Sequence, residues 1–276
     1  MRANSILLPA VVASLSLVQT ATADDCEGPS DECVAVGGWN FSLAFGAGTR
    51  TNPLVNGEHI PLVVIPHISY YGKRVFVDDL DFGFSVAETD TNTVSLVASP
   101  GYDRVYFYRS DLQNIFVGGI PGNPDTADAG SNPGTVRFPP RSRRITYLAG
   151  PEWTFKYLGI TGQIDVLQEI TGQSGQEVRA ALGIPVIASK GTLAVNIGVT
   201  WKSAAIVNYY YGAVNIYEGG SALNPFVKLG YTLPLAGRWR FNAFAEYERL
   251  ASAITDSPIV AEHHVATVFV GAIYKF

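Results

Sequence analysis

Past its first two dozen residues the chain has no apolar run of about 18 residues, so no segment reads as a helix that crosses a bilayer. Charge is sparse: charged residues make up 16% and the formal net charge is −5, which argues against a nucleic-acid partner. Cysteines number two and histidines four. Neither type clusters at ligand spacing, so no metal, no cofactor and no redox centre is expected. No internal repeat and no second domain stand out.

What is present is dispersed hydrophobicity. The chain is 47% hydrophobic and 12% aromatic, with 14 Tyr. The apolar residues fall in short alternating segments, the pattern of a strand-built membrane wall. Tyr and Trp suit the two interfaces of such a wall, where a ring meets lipid at one end and water at the other. In Thr192 to Lys202, Leu193, Val195, Ile197, Val199 and Trp201 share one face, and Asn196, Thr200 and Lys202 share the other. Glu177 to Val186, Ile160 to Ile170 and Arg238 to Leu250 repeat the arrangement, the last with Phe244 interrupting its polar row. Alternation alone also fits a secreted sandwich or lipocalin-like barrel, in which the apolar face turns inward.

Both ends of the sequence favour the membrane reading. Arg2, the apolar stretch Ile6 to Val18 and the small residues Ala21-Thr22-Ala23 read as a secretory signal peptide over residues 1–23. Residues 24–37 would then form a periplasmic segment closed by a Cys26–Cys33 disulfide in an oxidising compartment. The final strand alternates through Ala266, Val268, Val270 and Ala272 to Tyr274 and Phe276. An aromatic ending of this kind is expected to serve as the barrel-assembly signal of an outer-membrane protein.

The expected fold is therefore all-β: a transmembrane antiparallel β-barrel over residues 38–276 in the outer membrane of a Gram-negative cell. Tight turns near Gly72, Leu158, Ser189 and Gly237 alternate with long connections, which places the long connections outside. Splitting Arg74 to Ala87 at Asp78-Asp79-Leu80 gives twelve strands, with ten as the fallback. The longest connection, Gly101 to Arg144, carries repeated Pro-Gly and Asn-Pro breakers. It is expected to be an outer loop, or in part a plug in the mouth.

Several residues carry candidate roles. Glu169, Arg179, Lys202, Arg238, Arg240, Glu246 and Glu248 fall on inward rows as lumen charges. Paired, they would close the barrel; separated by water, they would line a pore, and the sequence leaves both open. Arg137, Arg141, Arg143 and Arg144 stand where lipopolysaccharide phosphates would lie, and the last three are the candidate contacts. His263-His264 beside Glu262 and near Ser257 is the one cluster that suggests a lipid-modifying enzyme. Adjacent strand residues point to opposite faces, so the two imidazoles do not share one ion. Tyr209-Tyr210-Tyr211 offers either a sticky patch or packing for an outer loop.

Read in order, Pro66-His67-Ile68-Ser69-Tyr70, Asn208-Tyr209-Tyr210-Tyr211-Gly212, Leu233-Pro234-Leu235, Asp256-Ser257-Pro258-Ile259-Val260 and Phe269 to Phe276 resemble the MipA/OmpV family, named for an MltA-interacting protein. The chain departs from the family in the Gly101 to Arg144 insertion and at Ala213. The resemblance implies a non-enzymatic outer-membrane barrel without catalytic residues. It also implies an interaction platform for a murein hydrolase and a murein synthase. Lipids, lipopolysaccharide and the barrel-assembly machinery are the further expected partners. The alternative function is a small-solute channel.

Overall fold

The computed structural model describes residues 37–107, 146–188 and 191–276. The expected leader, the Cys26–Cys33 bridge and Arg137, Arg141, Arg143 and Arg144 lie outside the described residues. Twelve antiparallel strands close into one barrel, each hydrogen-bonded to its sequence neighbours and β1 to β12. The first five are β1 (Trp39–Arg50), β2 (Ile60–Tyr71), β3 (Val75–Asp78), β4 (Asp81–Glu88) and β5 (Asn92–Pro100). The next four are β6 (Tyr147–Tyr157), β7 (Ile160–Glu169), β8 (Gln176–Ala188) and β9 (Gly191–Lys202). The last three are β10 (Ala222–Pro234), β11 (Trp239–Arg249) and β12 (His264–Lys275).

The division of Arg74 to Ala87 falls where the acidic run predicts it. β3 is only four residues long, about 13 Å at roughly 3.3 Å per residue, well short of a full crossing. Asp79 turns the chain with a φ of 52°, in the left-handed region that Asp tolerates.

 At the opposite end Leu158 and Gly159 both take positive φ, 49° and 81°, the geometry of a two-residue hairpin turn that matches strand twist.

The wall is inverted relative to a soluble sheet. Val166, Ile197, Leu229, Val268 and Val270 are exposed, while Gln163, Asp165, Arg179, Asn196 and Lys202 are buried. Apolar side chains thus cover the outer surface and polar ones fill the interior, as hydrocarbon outside and a polar lumen inside require. Apart from the β3–β4 turn, the short turns lie at one end and the longer connections at the other, which sets the periplasmic and outer ends. At the periplasmic end Trp39 packs on Tyr70 and Trp239 on Tyr274, with ring centroids 5.1 and 4.9 Å apart. Such rings suit the headgroup level.

The barrel closes between β1 and β12, from Ser42↔Lys275 to Arg50↔Thr267. Beyond β12, the Phe276 amide donates to the Phe41 carbonyl at 2.9 Å, and the Tyr274 and Phe276 rings meet at 5.0 Å. Gly46 is needed at this seam: a Cβ there would lie 2.2 Å from the Val270 carbonyl oxygen and 2.7 Å from the Phe269 ring.

A charge on the outward row should therefore cost far more than a neutral polar change on the inward one. Ile197→Arg, midway along β9, is expected to destabilise the barrel by about 2–4 kcal/mol. Asn196→Ser, its inward neighbour, should change stability much less. Denaturant unfolding of both variants in lipid vesicles checks the difference.

Candidate functional site

The interior of the barrel is the candidate site, and its outer mouth is roofed. A 3-10 turn, Tyr102–Tyr106, leaves β5 and folds inward. Helix α1 (Ala204–Tyr211) connects β9 to β10, and the short helix α2 (Ser252–Thr255) connects β11 to β12. Val105, Tyr106, Ile206, Val207, Tyr210, Tyr211 and Ile254 are buried in one apolar cluster with Leu62, Leu148 and Leu167 from the wall. The beginning of the Gly101 to Arg144 connection is thus part of a plug. Residues 108–144 of it lie outside the described residues.

Polar contacts fix this roof. Thr146 Oγ1 and the Tyr210 hydroxyl share a hydrogen bond of 2.7 Å. The Ser257 hydroxyl donates to the Tyr211 carbonyl at 2.5 Å. Asn208 donates to the carbonyls of Ala204 and Gly219 and accepts from the Gly219 amide, each at 2.8 Å. The Tyr209-Tyr210-Tyr211 run therefore packs an outer connection, since its last two rings are buried.

Below the roof lies a girdle of opposite charges. Lys202 Nζ donates to both carboxylate oxygens of Asp103 at 2.6 Å, tying β9 to the inward-folded turn. Arg179 Nε donates to Glu177 at 2.6 Å and its Nη1 to Ser99 Oγ at 3.0 Å. Arg50 donates to the Tyr106 hydroxyl at 3.0 Å. Lys228 lies 3.6 Å from Glu246 and 4.6 Å from the centre of the Phe244 ring. Phe244, the interruption in the polar row of β11, is thus the seat of a buried cation. Asn224 donates to Glu248 at 3.0 Å.

These groups surround a cavity of about 70 Å³. Its cations are Arg50, Arg179, Lys202 and Lys228, and its anions Asp103, Glu177, Glu246 and Glu248. At roughly 10–15 Å³ per water, it has room for a handful of waters. Buried ions need partners because desolvation of a lone charge is costly, and the equal numbers of each sign meet that need locally.

The seven residues assigned to the lumen from sequence divide between different places. Arg179, Lys202, Glu246 and Glu248 line the cavity. Glu169 is buried but turns to the β7–β8 connection instead of crossing the lumen. It accepts from the amides of Thr171, Gly172, Gln173 and Ser174 and from the Thr171 hydroxyl. Arg238 is exposed in the β10–β11 turn, and Arg240 is half-buried near the periplasmic end. Of the enzyme candidates, Ser257 is committed to the Tyr211 carbonyl, and the His264 ring stacks on Tyr247 at 5.3 Å.

Two further groups were not singled out from sequence. Gln163 Nε2 bridges Glu152 and Asp165, donating to each at 3.0 Å. His67 on β2 meets Asp78 and Asp79 at the β3–β4 turn. Both groupings join residues across neighbouring strands, so spacing along the chain carried no signal.

Loss of one member of the Lys202–Asp103 pair should be costly, because the other remains buried. Asp103→Asn and Lys202→Met are each expected to destabilise the folded barrel by about 3–5 kcal/mol. The double variant should lose less than the sum of the two. Unfolding titrations of the three variants in vesicles measure this coupling.

The family profile described as MltA-interacting protein MipA matches residues 43–276. The MltA-interacting protein of Escherichia coli K12 is 30% identical over 245 residues, covering 86% of this chain and 90% of that protein. YiaT of the same organism, named as an outer membrane protein, is 24% identical over 245 residues and covers 85% and 91%. Among solved structures, an outer membrane channel from Pseudomonas putida F1 has a TM-score of 0.41 at 10% identity, covering 90% of this chain and 99% of that one. The roofed, charge-filled barrel described above belongs to the MltA-interacting protein MipA family of outer-membrane proteins.

Proposed function

We propose that this barrel acts as a non-enzymatic interaction platform in the outer membrane, with a closed lumen, and that its partner is a murein-cleaving enzyme of the MltA kind. The observation that carries the closed state is the Lys202–Asp103 pair under the apolar roof. It pins an inward-folded turn across the lumen at 2.6 Å. A conducting pore needs a continuous wet path with charges held apart. Here opposite charges meet, and the cavity between them is about 70 Å³.

The partner class is supported by the relative's name, MltA-interacting protein, at 30% identity. A murein enzyme would meet the periplasmic end, where the strands are joined by short turns and residues 24–37 precede β1. That segment and the aromatic rim of Trp39, Trp239 and Tyr274 are the proposed contact. The expected disulfide between Cys26 and Cys33 would give the segment a fixed shape there.

Two measurements test this reading. Planar-bilayer recordings of the purified barrel should show no steady current, whereas Lys202→Ala with Asp103→Ala should conduct. A large steady conductance in the unaltered protein would favour the channel instead. The barrel, displayed in nanodiscs, should capture a purified murein transglycosylase of the MltA type, and deletion of residues 24–37 should weaken capture about tenfold or more. Equal capture by both forms would remove that segment from the interface.

A further inference from the structure

The weakest seam of the wall lies between β2 and β3, which share three residue pairs: Ser69↔Asp78, Tyr70↔Val77 and Tyr71↔Phe76. The neighbouring β1–β2 seam runs from Trp39↔Tyr70 to Arg50↔Ile60. Above the β3–β4 turn, β2 continues without β3 beside it. Ile68 is the last position tied across, accepting from the Asp79 amide at 2.8 Å and donating to Asp79 Oδ1 at 2.9 Å. Pro66, two residues on and so facing the same side, has no amide to leave unpaired there.

A register shift in the β1–β2 ladder, between Phe45 and Gly48, changes the inward phase of β2. Ile60 and Leu62 are buried on one side of it, Ile65 and Ser69 on the other. The inward set thus passes from even to odd positions, which brings His67 to the inner side. Its Nδ1 lies 3.0 Å from Asp79 Oδ1 and 3.6 Å from Asp78 Oδ1. All three ligand atoms lie within 4.8 Å of one another. Four ligands at about 2.1 Å around a tetrahedral zinc ion stand about 3.4 Å apart, and the two measured separations bracket that value.

A second observation points the same way. Nδ1 of His67 is buried and makes no aligned hydrogen bond, although two carboxylate oxygens are close. The outer contacts are also those of a metal centre. The Tyr71 hydroxyl donates to Asp78 Oδ2 at 3.1 Å, and the Ile68 amide holds Asp79. Such second contacts orient ligands and tune affinity.

We propose that His67, Asp78 and Asp79 bind one divalent zinc ion, with water as the fourth ligand, and that the ion staples the short β3–β4 hairpin to β2. One imidazole and two carboxylates satisfy a borderline cation of charge +2. The ion crosses the seam at the point where the backbone ladder ends. This inference is independent of the partner proposed above.

The test uses the full barrel, refolded in detergent and stripped with a chelator, and titrated with zinc alone by calorimetry. One saturable ion per barrel and a raised unfolding temperature are expected. His67→Ala and Asp79→Asn should each weaken binding at least about tenfold, and Tyr71→Phe by a smaller factor. Replacing His59, His263 and His264 together should leave it intact. If a ligand variant fails to fold, cobalt in the unaltered protein decides, because a tetrahedral site gives an intense visible band. Absence of saturable binding, an octahedral cobalt spectrum, or binding that survives His67→Ala would each overturn the proposal.

Discussion

Hydrocarbon supplies no hydrogen bonds, so every backbone amide and carbonyl at membrane depth must find its partner within the protein. For strands this demands closure, and the β1–β12 ladder supplies it. Once the sheet is closed, its two faces meet different solvents. The outward rows must be apolar, and whatever polarity the chain carries is gathered inside. The buried charges follow from the closed wall.

Inside, a second constraint acts. A barrel of twelve strands has an interior that side chains and inward-folded connections can fill. Lys202 with Asp103, Arg179 with Glu177 and Lys228 with Glu246 place opposite charges together. The apolar roof of Tyr106, Ile206, Tyr210, Tyr211 and Ile254 lies above them. Packing and charge pairing thus act together, and a filled lumen follows more directly from them than an open one does.

The strand pattern was legible because lipid leaves few ways to write it. Rows such as Leu193 to Trp201 alternate apolar with small or polar residues, and the acidic Asp78-Asp79-Leu80 marked where Arg74 to Ala87 divides. What resisted reading was tertiary. Alternation assigns Glu169 to the inner face but says nothing of the amides in the β7–β8 connection that claim it. The breakers in Gly101 to Arg144 mark a long connection, yet only packing shows that Tyr102–Tyr106 turns inward. His67 was hidden for a further reason. A register shift reverses the phase of β2, and its carboxylate neighbours come from another strand and turn.

The orientation of the wall is tested most directly by spin labels placed one at a time from Leu193 to Trp201 in vesicles. Accessibility to oxygen, which concentrates in lipid, should peak at Leu193, Val195, Ile197, Val199 and Trp201, with the positions between them protected from it. A flat profile, or one with the opposite phase, would contradict the account.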